Sequence, residues 1–260
     1  MKKGLIIYNE IDKKLNEWFV ESCLKSLNSD EFSLLYKEEK EVLDYINKNL
    51  IDFVIFRCRN YSLLNEIELR GIRCFNNTKT NSLANDKYHT YLFFKEHGFP
   101  CLETSLERGD ISFPLVMKSV DGHGGSEVYL INSEDELEPS DKKYIYQGFL
   151  ANNGDVRLFV LNKKVIGAVK RSNGKDFRSN FSLGGEVEEY KPSKEMIDIA
   201  IKIAKLLDAD SIGVDFIIYD KGFVVNEIED PVGAKMLYKV MGIDAVNLFV
   251  EYIKSTLKNN

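Results

Sequence analysis

Over residues 1–84, apolar and polar positions alternate between two kinds of pattern. KGLIIY (residues 3–8), FSLLY (32–36) and DFVIF (52–56) are short apolar runs bounded by polar residues, as expected of buried strands. Between them, residues 12–27 repeat apolar side chains at helical spacing through Leu15, Trp18, Phe19 and Cys23. EEKEVLDYINKNL does the same with Val42, Leu43 and Ile46, and a polar segment holding Leu63, Leu64 and Ile67 follows the third strand. Strands alternating with helices predict a small open parallel sheet. A helix is expected from Asn85 to His97, with Gly98 in its C′ position and Pro100 just beyond.

The pattern then changes. FPLVMKSV and SEVYLI read as strands joined by a glycine-rich loop, and a short acidic helix and the strand KYIYQGFL complete a compact α+β unit. DVRLFVL, a turn at Asn162-Lys163 and KVIGAVKR follow. A polar loop runs to Glu186, a helix is expected over 193–208, and the hairpin SIGVDFIIYDKGFVVNEIE leads to an amphipathic helix from about residue 243.

That last hairpin carries an unusual load of acid. Side chains alternate along a strand, so Glu227 and Glu229 share a face. A three-residue loop Asp220-Lys221-Gly222, with glycine in the left-handed position, sets Tyr219 opposite Phe223 and Asp215 opposite Glu227. Three carboxylates at one strand end repel one another unless a cation sits among them. Hard oxygen ligands select Mg²⁺ or Mn²⁺, usually through one or two carboxylates plus nucleotide phosphates. The plainer alternative is a solvated strand end.

Two further loops bear on chemistry. KSVDGHGGSEVYLI places Gly122, Gly124 and Gly125 between strands, so it is neither a Walker A loop nor a Rossmann turn, both of which open a helix. A strand–loop–strand flap still lays backbone N–H groups over phosphates, with Lys118 beside it as a positive charge; a plain hairpin turn is the competing reading. Lys87 stands at a helix start, where the dipole disfavours a cation and a ligand phosphate would favour one. The polar stretch 170–186 contains Arg171, Arg178, Asn180 and Gly184-Gly185, and arginine forks match phosphate and carboxylate oxygens.

Length and charge narrow the class. The 260 residues suit one large domain or a few tightly joined lobes. A net charge of −6 argues against non-specific nucleic-acid binding, which needs a basic face. Four scattered cysteines without a C-x-x-C pair, and three histidines, suggest no thiolate or imidazole metal site. MKKGLIIYNEID is too short an apolar run for a signal segment and nothing later approaches a membrane span, so a soluble cytoplasmic protein is expected.

Taken in order, Lys118 with its flap, YIYQGFL, GDVRLFV, DFRSNFSLGG and the GVD…NEIE hairpin resemble the ATP-grasp ligases, and DFRSN…GG resembles their RimK-like branch, over about residues 80–257. The resemblance implies a mixed α/β and α+β chain. Residues 1–84 would form an N-terminal open parallel α/β domain and 85–150 a helix plus a central lid with the glycine loop. Residues 151–260 would form a C-terminal lobe carrying the metal site.

It also implies ATP held between two lobes. Lys87, Lys118 and the backbone of Gly122, Gly124 and Gly125 would meet its phosphates, with Arg178, Ser179 and Asn180 nearby. Gln147, Gly148 and Phe149 would line the adenine edge and Asp155 the ribose, while Asp215, Glu227 and Glu229 would hold Mg²⁺ or Mn²⁺. The expected reaction joins a carboxylate to an amine through an acylphosphate, with Arg171, Arg178 and Asn180 as catalytic residues and small molecules, amino acids or peptides as substrates. Arg57 and Arg59, just past the third strand where open α/β sheets bind ligands, and Arg157 are candidate substrate contacts. The alternatives are a kinase acting on a small-molecule hydroxyl and a non-catalytic nucleotide-binding protein. Homo-oligomerisation is left open. The chain departs from the family pattern twice: Gln147-Gly148 replaces the usual Gln-Glu, and Glu227-Ile228-Glu229 replaces Glu-x-Asn.

Overall fold

The first sheet of the computed structural model, which describes residues 1–125, 127–137, 140–172 and 186–258, is parallel with strand order β2-β1-β3-β4. Its strands are β1 (Lys2–Tyr8), β2 (Phe32–Glu38), β3 (Phe53–Phe56) and β4 (Arg73–Phe75). Alternation along β1 serves two cores. Leu5 and Ile7 pack with Val42, Leu64 and Ile67, whereas Ile6 and Tyr8 pack on the opposite face with Phe19, Val20 and Cys23. Gly4 faces the Phe53 ring so closely that a Cβ would lie 2.2 Å from it.

The expected helix over 12–27 is two helices, α1 (Glu10–Leu15) and α2 (Glu17–Leu27). Asn16 leaves helical geometry between them (φ −120, ψ 24), which shifts the helical phase. Leu15 and Trp18 therefore face outward, while Phe19 and Cys23 stay buried. α3 (Val42–Ile46) and α4 (Tyr61–Glu68) are short, and the latter is capped by Asn60. The helix expected before the lid is preceded by another. α5 (Thr78–Ala84), capped by Asn77, was not foreseen, and α6 (Lys87–Glu96) starts at the Asp86 cap and ends with Gly98 at φ +68.

A second sheet, ordered β5-β8-β6-β7, is built from β5 (Thr104–Ser105), β6 (Leu115–Ser119), β7 (Val128–Ile131) and β8 (Tyr144–Gly148). The acidic segment is a single 3₁₀ turn, Glu134–Glu136. The third sheet, β11-β10-β9-β12-β13, comprises β9 (Asp155–Leu161), β10 (Lys164–Ser172), β11 (Glu186–Glu189), β12 (Ser211–Tyr219) and β13 (Gly222–Glu229). Asn162 and Lys163, both at positive φ, turn β9 into β10. α7 (Lys194–Leu206) covers one face of this sheet through Met196, Ala200 and Ile203. α8 (Lys235–Met241) packs Met236 and Leu237 on the other, against Phe159 and Val169. α9 (Ala245–Lys258) returns to the first sheet, where Phe249, Val250 and Ile253 join the core of Ile6, Phe53 and Phe75.

Candidate active site

The β12–β13 hairpin positions the acids, by a route the sequence did not suggest. Its loop has two residues, so Tyr219 pairs with Gly222 and Ile218 with Phe223. A bulge between Phe216 and Asp215 leaves Asn226 unpaired and restores Asp215 opposite Glu227. The bulge also explains why the adjacent residues Asn226 and Glu227 both line one cleft, which strict alternation forbids.

That cleft, of about 880 Å³ with its open mouth included, lies between the second and third sheets. Lys87, Lys118, Gly122, Gly124, Gly125, Gln147, Gly148, Phe149, Asp155, Arg171, Asp215 and Glu227 all border it. Lys118, on β6, is buried, and its Nζ donates to Asn226 Oδ1 at 3.0 Å and stands 4.0 Å from Glu227 Oε1. Burial pulls its pKa down, with Glu227 opposing. Lys87 reaches the carbonyl of Gly122 from the start of α6, whose first N–H bonds Val120 O, so this lysine meets the glycine flap. At the other end, Gln147 Nε2 donates to Thr104 Oγ1 at 2.7 Å. The N–H of Phe149 is taken by Pro114 O at 3.2 Å, which withdraws it from the expected adenine edge.

The three acids of the hairpin do not form a cage. Among the described residues no group of three His, Cys, Asp or Glu stands close enough to hold an ion. Asp215 is instead held by arginines: Arg157 grips it with Nε and Nη2 at 2.7 Å each, and Arg171 Nη2 reaches it at 2.6 Å. Burial alone would raise the Asp215 pKa, but Arg157 and then Arg171 outweigh it and bring it to about 2. Asp155 shares Arg171 at 2.5 Å, and burial leaves its pKa raised. Glu229 is drawn out of the cleft wall by Arg157 Nη2 at 2.8 Å and lies 3.8 Å from Arg59.

The repulsion expected of the acids is therefore already met by guanidinium groups. The donor set still suits a magnesium ion carried by phosphates. Glu227 borders the cleft with no hydrogen bond among the described residues, and Asp215 Oδ1 accepts only one. Those two, without Glu229, are the residues that would hold it.

The candidate substrate arginines fare differently from expectation. Arg57 is buried, donates to Tyr8 Oη at 3.0 Å and Val232 O at 2.8 Å, and stacks over Phe19, so its fork is committed to packing. Arg157 is likewise buried between Asp215 and Glu229. Arg59 remains partly exposed, on Asp12 at 3.2 Å. Arg178, Ser179 and Asn180 lie outside the described residues. Asn226 was missed because only the bulge turns it into the cleft. Asp230 was missed as a buried acid bonded by Asn76 and Asn81, residues some 150 positions away in sequence.

Residues 84–253 match the RimK-like ATP-grasp domain. The chain belongs to that family. It is accordingly an ATP-dependent carboxylate–amine ligase in the general sense. It is similar to the MG011 homolog of Mycoplasma pneumoniae, uncharacterised, at 30% identity over 98% of this chain and 93% of that protein. It is also similar to a probable alpha-L-glutamate ligase of Haemophilus influenzae, at 28% identity over 88% of this chain and 84% of that protein. In fold it resembles the D-alanine–D-alanine ligase of Bacillus anthracis, with a TM-score of 0.78 at 16% identity, covering 99% of this chain and 98% of that one. That ligase has also been solved with ATP. No helix among the described residues of the RimK-like chain is long and apolar enough to cross a membrane.

Proposed function

We propose that this ligase activates a carboxylate as an acylphosphate at the expense of ATP and passes the acyl group to an amine, releasing ADP and phosphate. The observation that carries the reading is the convergence of Lys87, Lys118, Asn226 and Glu227 on one cleft, with Asp215 pinned behind them. The lysines bind the β- and γ-phosphates. Glu227 and Asp215 would hold magnesium, which would supply charge neutralisation for the transferring group, and the flap over Gly122–Gly125 excludes water from the acylphosphate. Asp155 and the Gly148 backbone receive the nucleoside, and Arg178, Ser179 and Asn180 are further candidates for phosphate contact.

Substrates are amino acids or peptides, with L-glutamate the first to try, as the name of the Haemophilus relative suggests. The test is Mg²⁺-dependent ADP release in the presence of amino acids and short peptides, followed by mass spectrometry of the product. An amide with free phosphate supports the ligase. A stable phosphoester would make the protein a kinase instead.

A further inference from the structure

Seven charged side chains of alternating sign run from the first sheet to the cleft: Asp12, Arg59, Glu229, Arg157, Asp215, Arg171 and Asp155. Successive contacts measure 3.2, 3.8, 2.8, 2.7, 2.6 and 2.5 Å. Arg59 stands just past β3, at the carboxyl edge where an open parallel sheet receives ligands, and Asp155 borders the cleft. Glu229 is the junction. It comes from the hairpin that presents Glu227, but it borders no part of the cleft and gives its oxygens to Arg157 on β9 and to Arg59 in the bend after β3. Gly213 makes room for this arrangement: a Cβ there would lie 3.1 Å from Arg157 Cδ and 3.2 Å from Glu229 Cβ.

The weakest link is informative. At 3.8 Å, Arg59 and Glu229 form an ion pair without a hydrogen bond, and both side chains are about one-quarter exposed. Every other link nearer the cleft is a hydrogen-bonded, largely buried pair. The chain is therefore firm at the nucleotide end and loose where the first sheet meets it.

The geometry points to Glu229 as a positioning residue that, with Arg59, ties the substrate edge of the first sheet to Asp215 on the cleft wall, and not as a ligand of the cation. The inference rests on the proposed ATP site and adds a role for the residue that departs from the family's Glu-x-Asn pattern. Glu229 orients Arg157, Arg157 orients Asp215, and Arg59 reports the state of the sheet edge to both.

The test uses the full-length chain, Mg²⁺ and the non-hydrolysable analogue AMP-PNP, so that no turnover or identified substrate is needed. Calorimetry measures AMP-PNP affinity at saturating Mg²⁺ and the Mg²⁺ concentration that half-saturates the effect. Glu229→Gln and Arg59→Gln are each expected to weaken AMP-PNP about threefold, the double variant no further than either single one, with half-saturating Mg²⁺ within twofold of wild type. A tenfold rise in half-saturating Mg²⁺ for Glu229→Gln alone would make Glu229 a cation ligand and overturn the inference. Additive losses in the double variant would overturn the tie to Arg59. Glu229→Asn, which restores the usual amide, serves if the Gln variant fails to fold and is read by the same criteria. Absence of AMP-PNP binding by the wild-type protein would instead defeat the nucleotide site itself.

Discussion

Replacing Asp215 by asparagine tests what holds the wall of the cleft together. The carboxylate accepts three hydrogen bonds from two buried guanidinium groups, and its side chain is 3% exposed. Asparagine keeps the shape but turns an N–H group toward one arginine and leaves two buried cations short of one counter-charge. Removing one partner of a buried pair costs about 3–5 kcal/mol. In a chain of this size each kcal/mol shifts the melting temperature by about 2–4 °C, so a fall of roughly 6–20 °C is expected at pH 7. Acid titration gives an independent estimate of the same interaction. The folded pKa of Asp215, about 2, lies below the ordinary 3.8, so its stabilisation is fully present above pH 3.8 and is lost as pH falls through 2. That shift corresponds to roughly 2–3 kcal/mol, the same order as the substitution. Thermal unfolding by circular dichroism from pH 7 down to pH 2 measures both. Wild type should lose this increment over the acid limb, and Asp215→Asn should lack it from the start. A variant melting within 2 °C of wild type at pH 7 would refute the account of Asp215 as the anchor of Arg157 and Arg171.

Glu227→Gln is the contrasting case: the side chain is 30% exposed and meets only Lys118, at 4.0 Å, so its melting temperature should change by no more than about 1 °C while ATP turnover is abolished. Retained Mg²⁺-dependent ADP production would remove Glu227 from the metal site. Lys118→Ala removes a buried ammonium lining the cleft and should weaken ATP binding about 10- to 100-fold by calorimetry, the worth of one charge-assisted hydrogen bond; unchanged affinity counts against its phosphate role. Gly213→Ala would place a Cβ 3.0 Å from Val232 Cγ2 and 3.1 Å from Arg157 Cδ, so a loss of about 1–3 kcal/mol in denaturant unfolding is expected, with reduced turnover as Arg157 shifts. Wild-type stability in this variant would show that the arginine has slack.

The strands and the open parallel sheet were legible because buried strands announce themselves locally, as KGLIIY and DFVIF do. The hairpin register came out right at Asp215 and Glu227 through two departures that cancel: the loop is one residue shorter than expected, and a bulge at Asn226 puts that residue back. Neither departure has a periodic signature. The helix break at Asn16 escaped because asparagine is tolerated within helices and decides an end only through its capping bond and local φ/ψ. The partners of the acids were invisible for a different reason. Asp215 meets Arg157 because β12 lies against β9, a pairing between segments 58 positions apart that hydrophobic pattern does not encode. Arg57 and Arg157 looked like substrate clamps because sequence shows their charge but not their burial.

The distribution of cations in and around the cleft follows from that pairing. Arg157 and Arg171 are matched by Asp155, Asp215 and Glu229, so their charge is already neutralised within the fold. Lys87 and Lys118 have different partners. Among the described residues, Lys87 touches only a flap carbonyl and Lys118 an amide oxygen, with Glu227 at the outer limit of an ion pair. Neutral acceptors hold an ammonium in place without cancelling its charge, and burial makes the charged form of Lys118 costly until an anion arrives. A phosphate entering the cleft therefore finds Lys87 held by a neutral acceptor and Lys118 only loosely paired with Glu227, while the arginines behind them stay engaged. For Arg171 to act on the transferring phosphoryl group it would have to leave Asp155 or Asp215, the two acids it bridges, so positive charge for phosphate falls first to the lysines.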